Sequence, residues 1–112
     1  MLRLKSATDF ERVRRDGRSH AHPLAVLIAC ANGAAHTRWG FAAGKSVGTA
    51  VERNRAKRLL REAARARQAE AAPGWDLIFI ARRPLAAAKL AQAEAVMRSL
   101  LRRAKVIPSE NV

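Results

Sequence analysis

The sequence has 112 residues, enough for one hydrophobic core and too few for two ordinary ones. Its 22 Lys and Arg outnumber 9 Asp and Glu, giving a formal charge of +13 that favours a polyanionic partner such as nucleic acid. The single Cys30 excludes an internal disulfide, and no apolar run reaches the length of a membrane span. We therefore expect one nucleic-acid-binding domain over residues 1–112, in the cytoplasm, with no membrane partner.

The first predicted element is a helix over Ser6 to Asp16. Thr8 and Glu11 have the spacing of a capping box, in which the two side chains satisfy free backbone N–H groups at the helix start. Gly17 follows directly and is a typical helix stop.

Two extended segments come next, Pro23 to Cys30 and Thr37 to Ala43. Asn32-Gly33 between them is a strong turn signal, so we expect the two strands to pair as an antiparallel hairpin. Trp39 and Phe41 alternate along the second strand, which indicates core packing in preference to base stacking.

A second capping box, Thr49 with Glu52, opens the clearest helix, which continues to about Glu70 and ends before Pro73-Gly74. The almost entirely apolar run Trp75 to Ala81 predicts a central strand with both faces buried. These features together predict an α+β sandwich with helices packed on a mixed sheet.

Pro84 is a suitable first residue for a last helix, and residues 107–112 are expected to form a frayed tail. The expected element order is α-β-β-β-α-β-α in a single domain, with one more strand before the long helix than the two located above. The apolar stripe of the last helix consists of Leu85, Leu90, Val96, Met97, Leu100 and Leu101.

The long helix has a strongly cationic face. At about 100° per residue, its basic side chains fall within roughly 140° of arc, with Asn54 inside that arc. Acidic partners are too few to balance them, so we expect this face to contact a ligand. The cations are Arg53, Lys57, Arg58, Arg61 and Arg65, and the core side is expected to hold Ala56, Leu59, Leu60, Ala63 and Ala66.

A glycine-rich turn, Gly44 to Gly48, leads into this helix and carries Lys45. Free backbone N–H groups at a helix N-terminus attract phosphate, so the turn is a candidate anion site. The spacing lacks that of a nucleotide-binding loop, and the signal is weak on its own.

The segment RNRAKRLLRE, Arg53 to Glu62, resembles the Arg-Asn-Arg helix of the protein subunit of bacterial ribonuclease P. The similarity extends over most of the chain. The other matching segments are Asp9 to Val13 with Gly17, Arg38 to Phe41, Lys45 with Gly48, and Asp76 to Arg82.

The resemblance implies a non-catalytic protein cofactor of a ribozyme that removes the 5′ leader of precursor tRNA. Its partners would be the ribonuclease P RNA, bound 1:1, and precursor tRNA, with no small-molecule substrate. Mg²⁺ would be held mainly by the RNA, and the protein itself would have no catalytic or metal-binding residues. The family fold also contains a left-handed β-α-β crossover, contrary to the usual hand.

The resemblance also assigns residues to two sites. The catalytic-RNA site would comprise Lys45, Arg53, Asn54, Arg55, Lys57, Arg58, Arg61 and Arg65. The cleft for the single-stranded leader would comprise Phe10, Val13, Arg14, Ile28 and Phe41. Arg14 and Ile28 replace aromatics common in the family, which implies weaker base stacking and a cationic contact from Arg14 instead.

Several alternatives remain open from the sequence. His20 and His22 would share one face of a strand, which suggests acid–base or metal chemistry, but no carboxylate cluster accompanies them. A second basic cluster either extends the phosphate-binding surface or is a solvated helix end; it comprises Arg82, Arg83, Arg98, Arg102, Arg103 and Lys105. The rival functions are a general RNA-binding or ribosome-associated protein, a DNA-binding module and an autonomous nuclease.

Overall fold

The computed structural model describes residues 1–108, which form five strands and three α-helices. In chain order these are β1 (Leu2–Arg3), α1 (Ala7–Asp16), β2 (Arg18–Ala21), β3 (Ala25–Ala31), β4 (Arg38–Ala43), α2 (Ala50–Arg67), β5 (Trp75–Ala81) and α3 (Leu90–Arg103). Short 3₁₀ helices lie at Lys45–Val47, Gln68–Glu70 and Arg83–Ala87. The predicted α+β class and order are confirmed, with the two-residue β1 added in front.

The strands form one mixed sheet in the order β1-β4-β5-β3-β2. β5 is parallel to β4 and antiparallel to β3, with Phe79 opposite both Phe41 and Leu27. β1 extends the sheet beside β4 in parallel, and β2 extends it beside β3 in antiparallel. The predicted central position of β5 is confirmed. The β4-α2-β5 unit joins adjacent parallel strands, and its left-handed crossover stays an expectation.

The expected hairpin between the third and fourth strands is wrong, because β5 lies between them. Leu77, Ile78 and Phe79 are fully buried, so β5 needs a neighbouring strand on each edge as well as cover on both faces. The Asn32-Gly33 turn does form, with Gly33 at φ +67°, but it opens a loop that passes the end of β5. Asn32 N–H donates to Gly74 O at 2.9 Å there.

Each sheet face has its own apolar core. α2 and α3 pack on one face, over Trp39, Phe41 and Phe79, whose rings stack with centroids 6.0 to 6.2 Å apart. The core position predicted for Trp39 and Phe41 is thus confirmed. α1 covers part of the opposite face, where the buried residues are Leu4, Val13, Ile28, Cys30 and Ile78.

The helix ends differ from prediction in two places. Ser6, not Thr8, caps α1, since its Oγ accepts from Asp9 N at 3.4 Å. Pro84 lies in a 3₁₀ helix, and α3 begins only at Leu90, which is itself exposed. The other predicted apolar positions of that segment are buried.

Gly17 ends α1 as predicted, but for a packing reason. Its φ of −81° is open to any residue, whereas a Cβ there would collide with the Val13 carbonyl oxygen and lie 2.8 Å from Ile28 Cγ2. The chain therefore turns into β2 through a space too narrow for a side chain.

The described part of the C-terminal segment, up to residue 108, is packed more closely against the fold than expected. Ile107 is buried, with 5% of its surface exposed, although it was predicted to begin the frayed tail. Residues 109–112 of that tail lie outside the described part of the chain. No helix within residues 1–108 is both long and apolar enough to span a membrane.

Candidate nucleic-acid interface

The cationic face of α2 points away from the core. Ala56, Leu60, Ala63 and Ala64 are buried against the sheet and α3, which fixes the rotation of the helix. Leu59 is half-buried and packs against this core as predicted, whereas the core position predicted for Ala66 is wrong because Ala66 is exposed.

The opposite side of α2 carries what we call the α2 basic face. Asn54, Arg58 and Arg65 are exposed, and the other members are half-buried. Within residues 1–108 none of its cations forms an ion pair, so their charge is available to an external anion. The face comprises Arg53, Asn54, Lys57, Arg58, Arg61 and Arg65.

Arg55 does not belong to this set. Its Nε donates to Ala86 O at 2.7 Å, and its Nη2 donates to Ala88 O at 3.3 Å. These bonds tie α2 to the turn that precedes α3. The structure therefore gives Arg55 a structural role within the fold, and the RNA contact that the resemblance implied stays a prediction.

The turn before α2 does not offer the anion site suggested by its glycines. Val47 and Gly48 donate their N–H groups back into the turn, and Thr49 N donates to Glu52 Oε1 at 3.0 Å. Glu52 N in turn donates to Thr49 Oγ1 at 3.2 Å, completing the predicted capping box. This bonding lowers the pKa of Glu52 and places a carboxylate where a phosphate would bind. Lys45 itself is exposed beside the turn.

An open cleft lies on the other face of the sheet, beside α1. Phe10 is half-buried at its edge, and its ring packs against the backbone of Gly40, where a Cβ would lie 2.8 Å from Phe10 Cζ. Val26 and Ile80 are half-buried sheet residues on the same face. Alternation with the buried Ile28 and Ile78 along the same strands could have revealed them from sequence.

Cations flank this cleft. Lys5 and Arg14 line one depression together with Phe10 and Glu11. Arg14 is exposed on α1, four residues after Phe10 and so on the same side of the helix. An apolar floor with cations at its edge suits a single strand, whose bases and phosphates need different contacts.

The structure changes the predicted membership of this cleft. Phe41 lies on the opposite face, in the core beneath α2, because Gly40 and not Phe41 points toward α1. Arg3 covers its ring, with the guanidinium carbon 5.1 Å from the centroid. Val13 is completely buried and Ile28 is 8% exposed, so they support the cleft from below.

Sequence reasoning missed a charged network that holds α1 to the sheet. Asp76 at the start of β5 has no exposed surface, yet it binds guanidinium groups of two arginines. Arg38 donates to it through Nε at 2.9 Å and Nη2 at 2.7 Å, and Arg12 on α1 donates through Nη2. Asn32 Nδ2 adds a bond of 2.9 Å. The signal available from sequence was one carboxylate inside an apolar strand.

Burial by itself would raise the pKa of Asp76. Hydrogen bonds from Arg38, Asn32 and Arg12 outweigh it and lower the pKa to about 2. The carboxylate is thus ionised at physiological pH. Its hydrogen bonds hold Arg12 of α1 and Arg38 of β4 against the start of β5.

The histidines do not assemble a reactive group. His20 lies in β2, while His22 follows it and accepts a hydrogen bond from Leu24 N at 3.0 Å through Nδ1. His36 belongs to the loop before β4, where its carbonyl accepts from Asn32. Among residues 1–108 no three His, Cys, Asp or Glu side chains are placed to hold a metal ion.

The fold and the site define a small basic α+β protein with two surfaces suited to a polyanionic strand, one on each side of its sheet. Comparison with known proteins narrows this class. The family model for ribonuclease P matches residues 1–105. The ribonuclease P protein component of Herpetosiphon aurantiacus is 45% identical over 104 residues, which cover 93% of this chain and 85% of that protein.

Solved structures agree with the sequence match. The RNase P protein of Staphylococcus aureus superposes with a TM-score of 0.85 at 32% identity, covering 96% of this chain and 99% of that one. The RNase P protein of Thermotoga maritima gives 0.81 at 26% identity, covering 92% and 97%. The chain belongs to the ribonuclease P protein family, the protein component of an RNA-based endoribonuclease.

Proposed function

We propose that this protein holds the ribonuclease P RNA through the α2 basic face and guides the 5′ leader of precursor tRNA through the cleft beside α1. The observation that carries the proposal is the unpaired charge of the α2 basic face among the described residues. Phosphate contacts of this kind supply affinity and register without reading sequence. Lys45 is exposed near the start of α2 and extends the same contact.

The α1 cleft suits a single-stranded leader in two ways. Phe10, Val26 and Ile80 offer a partly exposed apolar surface for bases, and Lys5 and Arg14 offer charge for phosphates. Phe10 is the aromatic that contributes to this floor, since Phe41 is buried under the opposite face. We therefore expect leader binding to depend more on charge than on base stacking.

Mg²⁺ would be held by the RNA and the substrate. The described part of this chain offers no cluster of three metal-binding side chains, so its residues do not fit a resident ion. What the protein contributes is fixed positive charge, which screens phosphates brought together near the cleavage site. The holoenzyme should therefore require less Mg²⁺ than the RNA alone. We further expect one protein per RNA subunit, in the cytoplasm.

Cleavage of a precursor tRNA at low Mg²⁺ tests this function. The arms are the protein alone, a bacterial ribonuclease P RNA alone, and the two together. Cleavage at the mature 5′ end only in the mixture is the expected result. Equal cleavage with and without protein, once folding and binding are verified, would instead favour a general RNA-binding role. Cleavage by the protein alone, with contaminating nuclease excluded, would favour an autonomous nuclease.

Two matched variants test the assignment of the α2 basic face. Arg58→Gln and Arg15→Gln each remove one charge from an exposed helical position. Arg58→Gln should weaken binding of the ribonuclease P RNA about fivefold. It should also reduce the slope of log K against log[salt] by about one, because one fewer counterion is released on binding. Arg15→Gln should change neither, because its guanidinium pairs with Asp16 at 3.0 Å on α1. Equal losses of RNA affinity in the two variants would contradict the assignment of the α2 basic face as the binding site for the ribonuclease P RNA.

A further inference from the structure

We infer that Arg3 of β1 extends the α2 basic face across the edge of the sheet and, together with Arg61, holds one backbone of the ribonuclease P RNA. The inference rests on the proposed function, because it takes the RNA subunit as the occupant of the α2 basic face. It adds a residue of the N-terminal strand that belongs to neither of the two sites described above.

Arg3 lies on the face of the sheet that α2 covers. It is in parallel register with Trp39 of β4, whose ring belongs to the core beneath α2 and α3. Side chains in register on neighbouring strands point to the same face, and the next residue, Leu4, is buried in the core under α1. Arg3 is therefore on the other side of the sheet from the α1 cleft, which makes the RNA subunit its partner and not the leader.

The side of α2 that faces β1 is the side that carries the cations. Arg55 points toward the turn before α3, where it bonds to two backbone carbonyls. Arg53 lies two residues earlier and therefore about 160° around the helix, so it points toward the opposite edge of the sheet. Lys57 and Arg61 follow Arg53 at intervals of four residues, which keeps all three on that side. They are half-buried, so they border the core where α2 meets the edge strand.

A depression at the end of α2 places β1 on this same side independently. Leu2 lines it together with Gln68 and Ala71. Gln68 follows Arg61 by seven residues, which is about two helical turns, so both lie on one side of α2. Because Arg3 follows Leu2 and points to the face that α2 covers, it lies beside the Arg61 end of the α2 basic face.

The guanidinium of Arg3 is held in place without being neutralised. Its central carbon lies 5.1 Å from the centroid of the Phe41 ring, in a cation–π contact. Arg3 is exposed, and within residues 1–108 it forms no ion pair. A side chain that is already positioned loses less conformational freedom when it binds, and a planar guanidinium can contact two phosphate oxygens at once.

Packing on Phe41 does not by itself account for an arginine at this position. A cation–π contact at an exposed site is weak. It also brings another positive charge beside Arg61 in a chain with a net charge of +13, which is unfavourable in the absence of a counter-charge. Cations that converge from a strand edge and a helix favour a partner with closely spaced phosphates.

The test measures binding of a bacterial ribonuclease P RNA to the full-length protein across a series of salt concentrations. Arg3→Gln removes the charge and Arg3→Lys preserves it. Arg3→Gln should weaken binding about fivefold and reduce the slope of log K against log[salt] by about one. Arg3→Lys should keep the slope and stay within about twofold of the unsubstituted protein.

Arg18→Gln is the matched control. Arg18 is exposed on β2, the other edge strand of the sheet, and it faces the same side as Arg3 because it lies opposite Ala29 of the core beneath α3. Its substitution removes the same charge from an equivalent position far from α2. Binding and salt slope should therefore match those of the unsubstituted protein.

Unchanged binding by Arg3→Gln would overturn the inference. Equal losses in Arg3→Gln and Arg3→Lys with an unchanged slope would overturn it too, because they would indicate lost packing on Phe41. Equal losses in Arg3→Gln and Arg18→Gln would reflect net charge alone. Arg58→Gln separates the two proposals: a loss there without a loss in Arg3→Gln overturns only the Arg3 contact, whereas no loss in Arg58→Gln refutes the RNA subunit as occupant of the α2 basic face.

Cleavage of the RNA by tethered iron chelates locates the contact directly. Cys30 is buried, with 9% of its surface exposed, so a thiol introduced by Arg3→Cys or Arg61→Cys is the accessible attachment point. Hydroxyl radicals generated at these two positions should cut overlapping stretches of the ribonuclease P RNA, and radicals generated at Arg18→Cys should leave those stretches intact. No cleavage from Arg3→Cys, or cleavage of a precursor tRNA leader instead, would overturn the inference.

Discussion

Asp76→Asn should lower the free energy of unfolding by about 3 kcal/mol at pH 7, because it leaves two arginines without their shared carboxylate. The side chain of Asp76 is fully buried, and it receives bonds from Arg12, Arg38 and Asn32. Asn has nearly the same shape, so the loss reflects charge and hydrogen bonding and not a cavity. Arg12 connects α1 to β5 through this group, so α1 should loosen over the sheet.

The ionic part of this stabilisation follows from the pKa. A fall from 3.8 to about 2 corresponds to about 2 kcal/mol. Because the pKa of Asp76 is lower in the folded state than in the unfolded state, its stabilisation is complete above about pH 5 and is lost as the pH falls toward 2. The difference between the unsubstituted protein and Asp76→Asn should therefore shrink over that interval.

Urea unfolding at several pH values, followed by tryptophan fluorescence, measures this difference. Asp16→Asn is the matched control, because Asp16 is exposed and, within residues 1–108, its ion pair is with its neighbour Arg15 at the surface of α1. Its unfolding midpoint should barely move. A pH-independent deficit for Asp76→Asn would refute the electrostatic explanation, and an unchanged stability at pH 7 would refute the role of the network altogether.

Three further substitutions test packing against function. Gly17→Ala should cost about 3 kcal/mol of unfolding free energy, since the added Cβ collides with Val13 O and Ile28; thermal unfolding close to that of the unsubstituted protein would contradict this packing. Gly40→Ala should displace the Phe10 ring and weaken binding of a precursor with a leader more than of mature tRNA; equal losses for both would argue against the cleft. Arg55→Gln should lower the free energy of unfolding by about 1 kcal/mol, because it loses the hydrogen bonds to the Ala86 and Ala88 carbonyls. Its RNA affinity should nevertheless stay higher than that of Arg58→Gln. A lower RNA affinity for Arg55→Gln than for Arg58→Gln would indicate that Arg55 contacts the RNA.

Local signals in the sequence determined most of the elements of this protein. The Thr49-Glu52 capping box, the long amphipathic pattern and the apolar run of β5 correspond to observed elements, because each depends on residues close together in the chain. The cationic side of α2 was predictable for the same reason, since helix geometry alone places those side chains on one face. The family resemblance rested on these same segments.

Tertiary structure decided which strands are neighbours and which charges remain available. The Asn32-Gly33 turn predicted a hairpin, but the apolar faces and edges of β5 are buried best between β3 and β4, and no local turn signal carries that information. Asp76 and its two arginines come from separate segments of the chain and meet only in the folded protein. Arg55 looked like its neighbours in sequence until α2 packed beside the Ala86 and Ala88 carbonyls, because a hydrogen-bond partner distant in sequence appears only when the chain is folded.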